Sequence, residues 1–502
     1  MALIAIATLL LAGCGGGGDS SSSSSAEAEK GGTLRVADIG EAVTLNPPEA
    51  VDAPSIRVMT QINETLFRTN PAGEVEPWLV SDTKQSPDHL TWTFQLRPGV
   101  SFSNGQKLTS EDVVFSLEKL RTSEVWTAMF EPITSVKATS PSTVVVKTSR
   151  PVANLETELS VYGAGIVPKD YAGMSPADFG QSPVGTGPFE LAAWKHGESL
   201  TLQRNPGYWR SGEPLLDKVT FSSVPEDNSR VAQLKGQQLD LIATPSWSQI
   251  PALEGDQSLH VGIYSLAGSS YVVLNLRKPP FDDPKIREAL SLALDREGIV
   301  KAAYNGYGEV AGSWFAPSLK YHDDSIEAPA QDLEKAKQLV SEADSKPSLT
   351  LLVIAGEAAG VTAAQIIQQN LQEAGFSVKL QPLEEASLIE TVAGGKFDAS
   401  MLGYSSDIVD PSEQTGFYAS TEGVFSGAET KQIGELGTAA SSSFDEEKTA
   451  SIYAEVQQLI DDQKGVVMFA YAPIVWAMQS NVAGFNLSPT GIPWFAEVGF
   501  SG

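Results

Sequence analysis

One cysteine, four histidines and no arginine beyond Arg296 mark what this chain of 502 residues has least of. A single thiol, Cys14, leaves no disulfide to form within the chain. His89, His196, His260 and His322 stand isolated, without metal-ligand spacing to one another or to Cys14, so no metal site and no cofactor are expected. G-x-S-x-G, the P-loop and H-E-x-x-H are missing too, and nothing in the chain asks for an enzyme. No apolar run is long and continuous enough to span a bilayer, which takes about 20 residues. Val466 to Met478 comes nearest, but it carries Pro473 and reads as a core strand. Basic residues are scarce, 34 against 62 acidic ones, and the net charge of −28 argues against nucleic acid or an anionic membrane surface as the main partner. No long acidic run exists, so this charge is spread over the surface.

The cysteine's position is informative. An apolar run, Ala2 to Leu10, leads into Leu11-Ala12-Gly13-Cys14. This reads as a signal-peptide core with a small-residue cleavage site, and a cysteine just after it looks like a bacterial lipobox. Residues 1–14 are therefore expected to be a lipoprotein signal peptide, with Cys14 the lipidated first residue of the mature chain. Its acyl chains, palmitate among them, would anchor the protein, two chains holding where one does not. No Lys or Arg precedes the run and the first basic residue is Lys30, whereas signal peptides open on positive charge; the true start is read as upstream. Residues 15–30, rich in glycine and serine, form a solvated tether. The expected location is the cell envelope, on the outer face of the cytoplasmic membrane or in the periplasm.

Beyond the tether, 41% hydrophobic and 19% charged residues describe a globular chain with room for two or three domains. Thr33–Ala37, Pro77–Leu79 and Leu90–Leu96 read as strands, the last with Leu90, Trp92, Phe94 and Leu96 on one face. Asn104-Gly105 is a turn. Thr109 is a plausible N-cap for a helix whose apolar face holds Val113, Val114, Leu117 and Leu120. The middle is β-rich. Later, Asp283-Pro284 opens a helix with a proline at its first position. Leu349–Ile354, Thr362–Ala374, Val378–Leu383, Ala386–Val392 and Phe397–Tyr404 alternate β-α-β-α-β, which implies a parallel sheet with right-handed crossovers. Gly185-Thr186-Gly187-Pro188 lacks the setting of a phosphate cradle and reads as a turn.

Four stretches together resemble one family. They are Thr91–Gly105 continuing through Leu108–Val113; Gly185–Phe189 with Arg204–Trp209; Leu274–Leu276 with Pro280–Leu290; and Asp407–Pro411. In order and spacing they are similar to the extracellular solute-binding proteins of bacterial ABC importers, in the family of dipeptide-, oligopeptide- and nickel-binding proteins. The resemblance implies an α/β, two-lobed periplasmic-binding-protein-like fold of type II, with an extra subdomain and a ligand cleft between the lobes. Mapped here, lobe I is 31–65, 186–272 and 483–502, the extra subdomain is 66–185, and lobe II is 273–482. The implied function is capture of a peptide, an oligopeptide by preference, by hinge closure and delivery to a membrane permease with its ATPase. A monomer touching the membrane through its lipid anchor alone is expected. A non-peptide solute such as an oligosaccharide, an opine or a nickel complex, and a role as an envelope ligand sensor, remain alternatives.

The strand ending at Tyr404 places Asp407 at a cleft edge, because open α/β sheets bind ligands beyond the carboxyl ends of their strands. By resemblance, Asp407 pairs with a peptide α-ammonium and Tyr404 supplies an aromatic wall. Asp410 reads instead as a turn acid beside Pro411. Further ligand candidates by position are Trp247, Tyr271 and Trp314, aromatics suited to adaptable pockets, with core packing equally in play. Glu41 and Thr44 lie in an early loop that approaches ligand in relatives. Some dipeptide binders clamp the ligand carboxylate with a second-lobe arginine, and the lack of arginine after Arg296 removes that clamp here.

Overall fold

The computed structural model describes residues 28–343 and 346–502. Cys14, the expected signal peptide and most of the expected tether lie outside them.

Three sheets organise the chain. The first has seven strands, in the order Leu259–Tyr264, Ile474–Gln479, Leu241–Ala243, Thr33–Asp38, Lys218–Ser223, Ser199–Arg204 and Phe189–Lys195. Thr33–Asp38 is parallel to both its neighbours, and the outer strands turn antiparallel. The second has six, in the order Glu309–Val310, Val466–Tyr471, Gly268–Leu274, Ala399–Ser405, Ser348–Ile354 and Ser377–Leu383. The three strands of the expected β-α-β-α-β unit run parallel, and Gly268–Leu274 joins them antiparallel, so the sheet is mixed. A four-stranded antiparallel sheet, Val80–Gln85, Thr91–Leu96, Thr143–Thr148 and Ile133–Ser140, makes the subdomain.

Local chemistry explains the elements. In Thr91–Leu96 the residues Trp92, Phe94 and Leu96 are buried and alternate with half-buried neighbours, as a strand packed on one face requires. Asp112 Oδ2 accepts the Thr109 backbone N–H at 2.8 Å, which closes the start of the helix Ser110–Arg121. The Asp283 side chain caps Pro284–Ala293 through the Lys285 N–H.

Two readings are corrected. Val466 to Met478 is not one strand. Pro473 has no N–H for a ladder, and it separates Val466–Tyr471 in the second sheet from Ile474–Gln479 in the first. Trp78 and Leu79 follow the short strand Val75–Pro77 rather than forming one. Gly268–Leu274 pairs wholly in the second sheet, while Leu259–Tyr264 and Ile474–Gln479 pair in the first.

The motifs quoted above turn out to be braces. A Cβ on Gly185 would lie 1.9 Å from the Ile62 carbonyl oxygen, and one on Gly187 2.5 Å from that of Gln61, so only glycine admits this backbone contact. Between them, the Thr186 hydroxyl donates to the buried Glu64 carboxylate at 2.7 Å. Tyr208, Trp209 and Trp78 donate to the same carboxylate at 2.9, 3.0 and 2.7 Å. The Arg97 guanidinium lies 4.7 Å from the Trp209 ring. In the second lobe, Asn275 Nδ2 donates to the carbonyls of Gly395 and Phe397, each at 3.0 Å.

Candidate functional site

The strand Ala399–Ser405 ends at the seam between the second lobe and the subdomain. The loop that follows is held from behind by Glu413, in the first turn of the helix Ser412–Ser420. Glu413 Oε2 accepts the backbone N–H groups of Asp407 and Ile408 at 2.8 and 3.0 Å, and Oε1 accepts the Tyr404 hydroxyl at 3.0 Å. Ile408 is fully buried in the core shared by the first lobe and the subdomain. This fixes the Asp407 carboxylate beside the Tyr162 hydroxyl of the subdomain.

Burial pushes the Asp407 carboxyl up to about 6. Burial, and then the Asp407 charge, push Glu413 up as well. The pair titrates as a unit. Among the described residues no lysine, arginine or histidine forms an ion pair with either acid. When Asp407 ionises, no cation of the described residues offsets its charge.

Asp410 is spent differently. It accepts from Asn154 Nδ2 at 3.1 Å and from the Ser412 N–H at 2.9 Å, with the Tyr453 hydroxyl at 3.5 Å. It stitches the turn and ties it to the subdomain.

Between the lobes lies a cavity of about 890 Å³. Thr244, Ser246 and Trp247 line it from the first lobe, and Tyr304, Glu357 and Met401 to Gly403 from the second. Trp247 is half-buried there, with the Tyr304 ring edge-on at 5.8 Å.

Of the seven ligand candidates, the structure brings Asp407 and Tyr404 together and sets Trp247 on the cavity wall. Tyr404 stacks on Phe417 at 4.4 Å. Tyr271 and Trp314, 1% and 2% exposed, are packed on each other in the second-lobe core behind that wall. Glu41 is turned away from the cavity: its carboxylate takes the Trp194 indole N–H at 2.9 Å, the Gly197 N–H at 2.8 Å and His196 at 3.0 Å. Thr44 is tied up beside it. Its N–H lies 3.3 Å from the Ser55 hydroxyl, and its own hydroxyl accepts the Asn46 N–H at 3.2 Å. Both residues brace the first lobe. Sequence reasoning missed Glu413, Tyr162 and Ile408. Glu413 had a signal, an acid in the first turn of a helix opening after Asp410-Pro411. Tyr162 had none, because 245 residues separate it from Asp407.

The description "Bacterial extracellular solute-binding proteins, family 5 Middle" matches residues 74–426. The chain belongs to this family of solute-binding proteins, whose members bind rather than transform their solutes. It is 26% identical to the dipeptide-binding protein of Escherichia coli (strain K12) over 489 residues, covering 89% of this chain and 90% of that one. It is 27% identical to the oligopeptide-binding protein AppA of Bacillus subtilis (strain 168) over 493 residues, covering 92% and 90%. Among solved structures, DppA of Helicobacter pylori in complex with the peptide STSA superposes with a TM-score of 0.83 at 25% identity, covering 94% of this chain and 99% of that one. Among the described residues no helix is long and apolar enough to cross a membrane, and no group of histidine, cysteine and acidic residues is placed to hold a metal ion.

Proposed function

We propose that this protein captures peptides bearing a free α-ammonium and hands them to an ABC permease, held at the outer face of the cytoplasmic membrane by acyl chains on Cys14. The observation that carries the reading is the Asp407–Glu413 pair, buried at the interlobe seam with no cationic partner of its own among the described residues. An ammonium there meets a desolvated carboxylate, where a charge-assisted hydrogen bond is strong. Glu413, its oxygens engaged by backbone N–H groups and Tyr404, acts as the positioning residue. Closure of the lobes around the solute makes the form the permease reads. Relatives that bind di- and oligopeptides favour a peptide over the other solutes of this fold.

Calorimetric titration with an alanine tetrapeptide and its N-acetylated form tests this. Acetylation removes the charge and keeps the backbone. The free peptide should bind at least about 30-fold more tightly, as expected for losing one partner of a buried pair. Equal affinities would remove Asp407 as an ammonium anchor.

A further inference from the structure

The interlobe cavity carries charged residues of its own, apart from Asp407, which does not line it. Three charged residues line it: Asp227, Arg230 and Glu357. Two of them serve each other, with Arg230 Nη2 on Asp227 Oδ1 at 3.1 Å. The rest of that guanidinium is drawn into the wall. Nη1 donates to the carbonyls of Val224 and Pro225, both at 2.8 Å, and Nη2 also to that of Thr244 at 3.2 Å. Asp227 in turn takes the Ser246 hydroxyl at 2.6 Å. This cluster brings no net charge to the cavity.

Glu357 is the remaining charge. It stands just ahead of the helix Ala358–Glu373, and Oε2 accepts the Gly360 N–H at 2.8 Å. A Cβ on residue 360 would fall 2.0 Å from that oxygen, so glycine there is what lets the carboxylate fold back. The Ala359 backbone also donates to the carboxylate, and no side chain or ion pair engages it among the described residues. The environment partly desolvates the group and shifts its carboxyl upward, and its charge reaches the Tyr304 phenol. Tyr304 meets Trp247 edge-on, and Tyr307 lies 6.2 Å from Trp247 at an interplanar angle of 24°.

An acid beside a half-buried indole, in a cavity whose one guanidinium is already paired, is the chemistry that selects a positive group. The carboxylate supplies charge and the indole a negative ring face, with the buried Tyr304 ring backing the indole edge-on. We propose that Glu357 and Trp247, the latter backed by Tyr304, form a subsite for a basic side chain of the bound solute, an ammonium or a guanidinium. Together with Asp407 it makes the cleft a receptor for solutes carrying two positive groups, and it leaves a ligand carboxylate nothing to pair with on this wall. The inference rests on the peptide reading for its natural ligand, and the test separates the two.

The test measures the affinity of the purified protein for alanine tetrapeptides in which one position carries lysine or its uncharged isostere norleucine. At one position lysine should bind roughly tenfold more tightly than norleucine. In Glu357→Gln, which keeps an oxygen to cap Gly360, that ratio should fall to about one, and in Trp247→Leu it should shrink. A thermal melt of each variant identifies any loss of fold. Lysine without advantage at every position, or an advantage that survives Glu357→Gln, overturns the subsite. If no tetrapeptide binds at all, the peptide reading fails, and argininamide, a cation without a carboxylate, decides the subsite. Quenching of tryptophan emission by argininamide in the wild type and not in Glu357→Gln sustains it; the same response in both, or none in the wild type, refutes it.

Discussion

Asp407 and Asp410 stand on one loop and meet opposite surroundings. Asp410 is surrounded by donors from its own protein: Asn154, the Ser412 backbone and Tyr453. Asp407 has the Tyr162 hydroxyl and a second acid. Each acid has a second one beside it, Glu158 for Asp410 and Glu413 for Asp407, but Asp410 has the fuller set of donors. Asp407 is left in need of a cation. Proximity in sequence therefore says little about role, and the ledger of partners says a great deal. The contrast extends along the seam. Around Asp410 the subdomain grips the second lobe directly, with the Ala153 N–H on the Ser441 carbonyl at 2.7 Å and Arg150 on the Ser441 and Ser442 hydroxyls at 3.2 and 3.0 Å. Toward Trp247 and Glu357 the lobes enclose open volume instead.

This comparison can be broken by substitution. Asp407→Asn should weaken binding of a free-ammonium tetrapeptide by about 2–5 kcal/mol, read by calorimetry, while leaving the melting temperature within a few degrees. Asp410→Ala should do the reverse: it should lower the melt, because Asn154 and Tyr453 lose a buried acceptor. If Asp410→Ala abolishes binding without touching the melt, the two acids have been assigned the wrong way round.

Ile408→Ala removes the side chain that the loop inserts into the opposite core. It should cost about 2–4 kcal/mol of stability in denaturant unfolding, as core truncations do. Small-angle scattering of the empty protein should also show a more open average shape. A compact profile with unchanged stability would mean that Ile408 does not hold the lobes together. A smaller effect is expected from Asn154→Ala. It removes two hydrogen bonds across the seam, of 3.1 and 2.7 Å, and should speed peptide release about fivefold in stopped flow.

A further effect is one of pH. Burial, and then the Asp410 charge, raise the Glu158 carboxyl to about 8. A raised acid favours the folded state when protonated, so this contribution is full below about 4.5 and is lost as pH rises through about 8. Glu158→Gln should flatten the decline in melting temperature over that window. A decline identical to wild type would place its origin elsewhere.

The legible and illegible parts of the molecule divide along the same line. The β-α-β-α-β alternation, the capped helices and the alternating strand Thr91–Leu96 follow from local periodicity and capping, which act over a few residues. The motifs that carried the family resemblance proved legible for a structural reason. Gly185-Thr186-Gly187 and Tyr208-Trp209 converge on Glu64, a buried acid whose donors admit few alternatives. They specify the scaffold and say nothing of the solute. The position of Asp407 just beyond a strand end was readable, since the strand follows from local alternation. Tyr162 and Ile408's burial were not, since both arise from packing between segments far apart in the chain. That the Glu41 side chain answers to Trp194, His196 and Gly197 was not legible, since those partners lie more than 150 residues away in the chain. The split of Val466 to Met478 at Pro473 could have been foreseen from the missing N–H, but not which sheet each half would join.

The most direct measurement is to purify the protein, denature it, and identify by mass spectrometry the small molecules it releases. The account predicts peptides of mixed sequence with free amino termini, enriched in lysine and arginine. A single carboxylate-rich or uncharged solute, such as a sugar, in stoichiometric amount would contradict it.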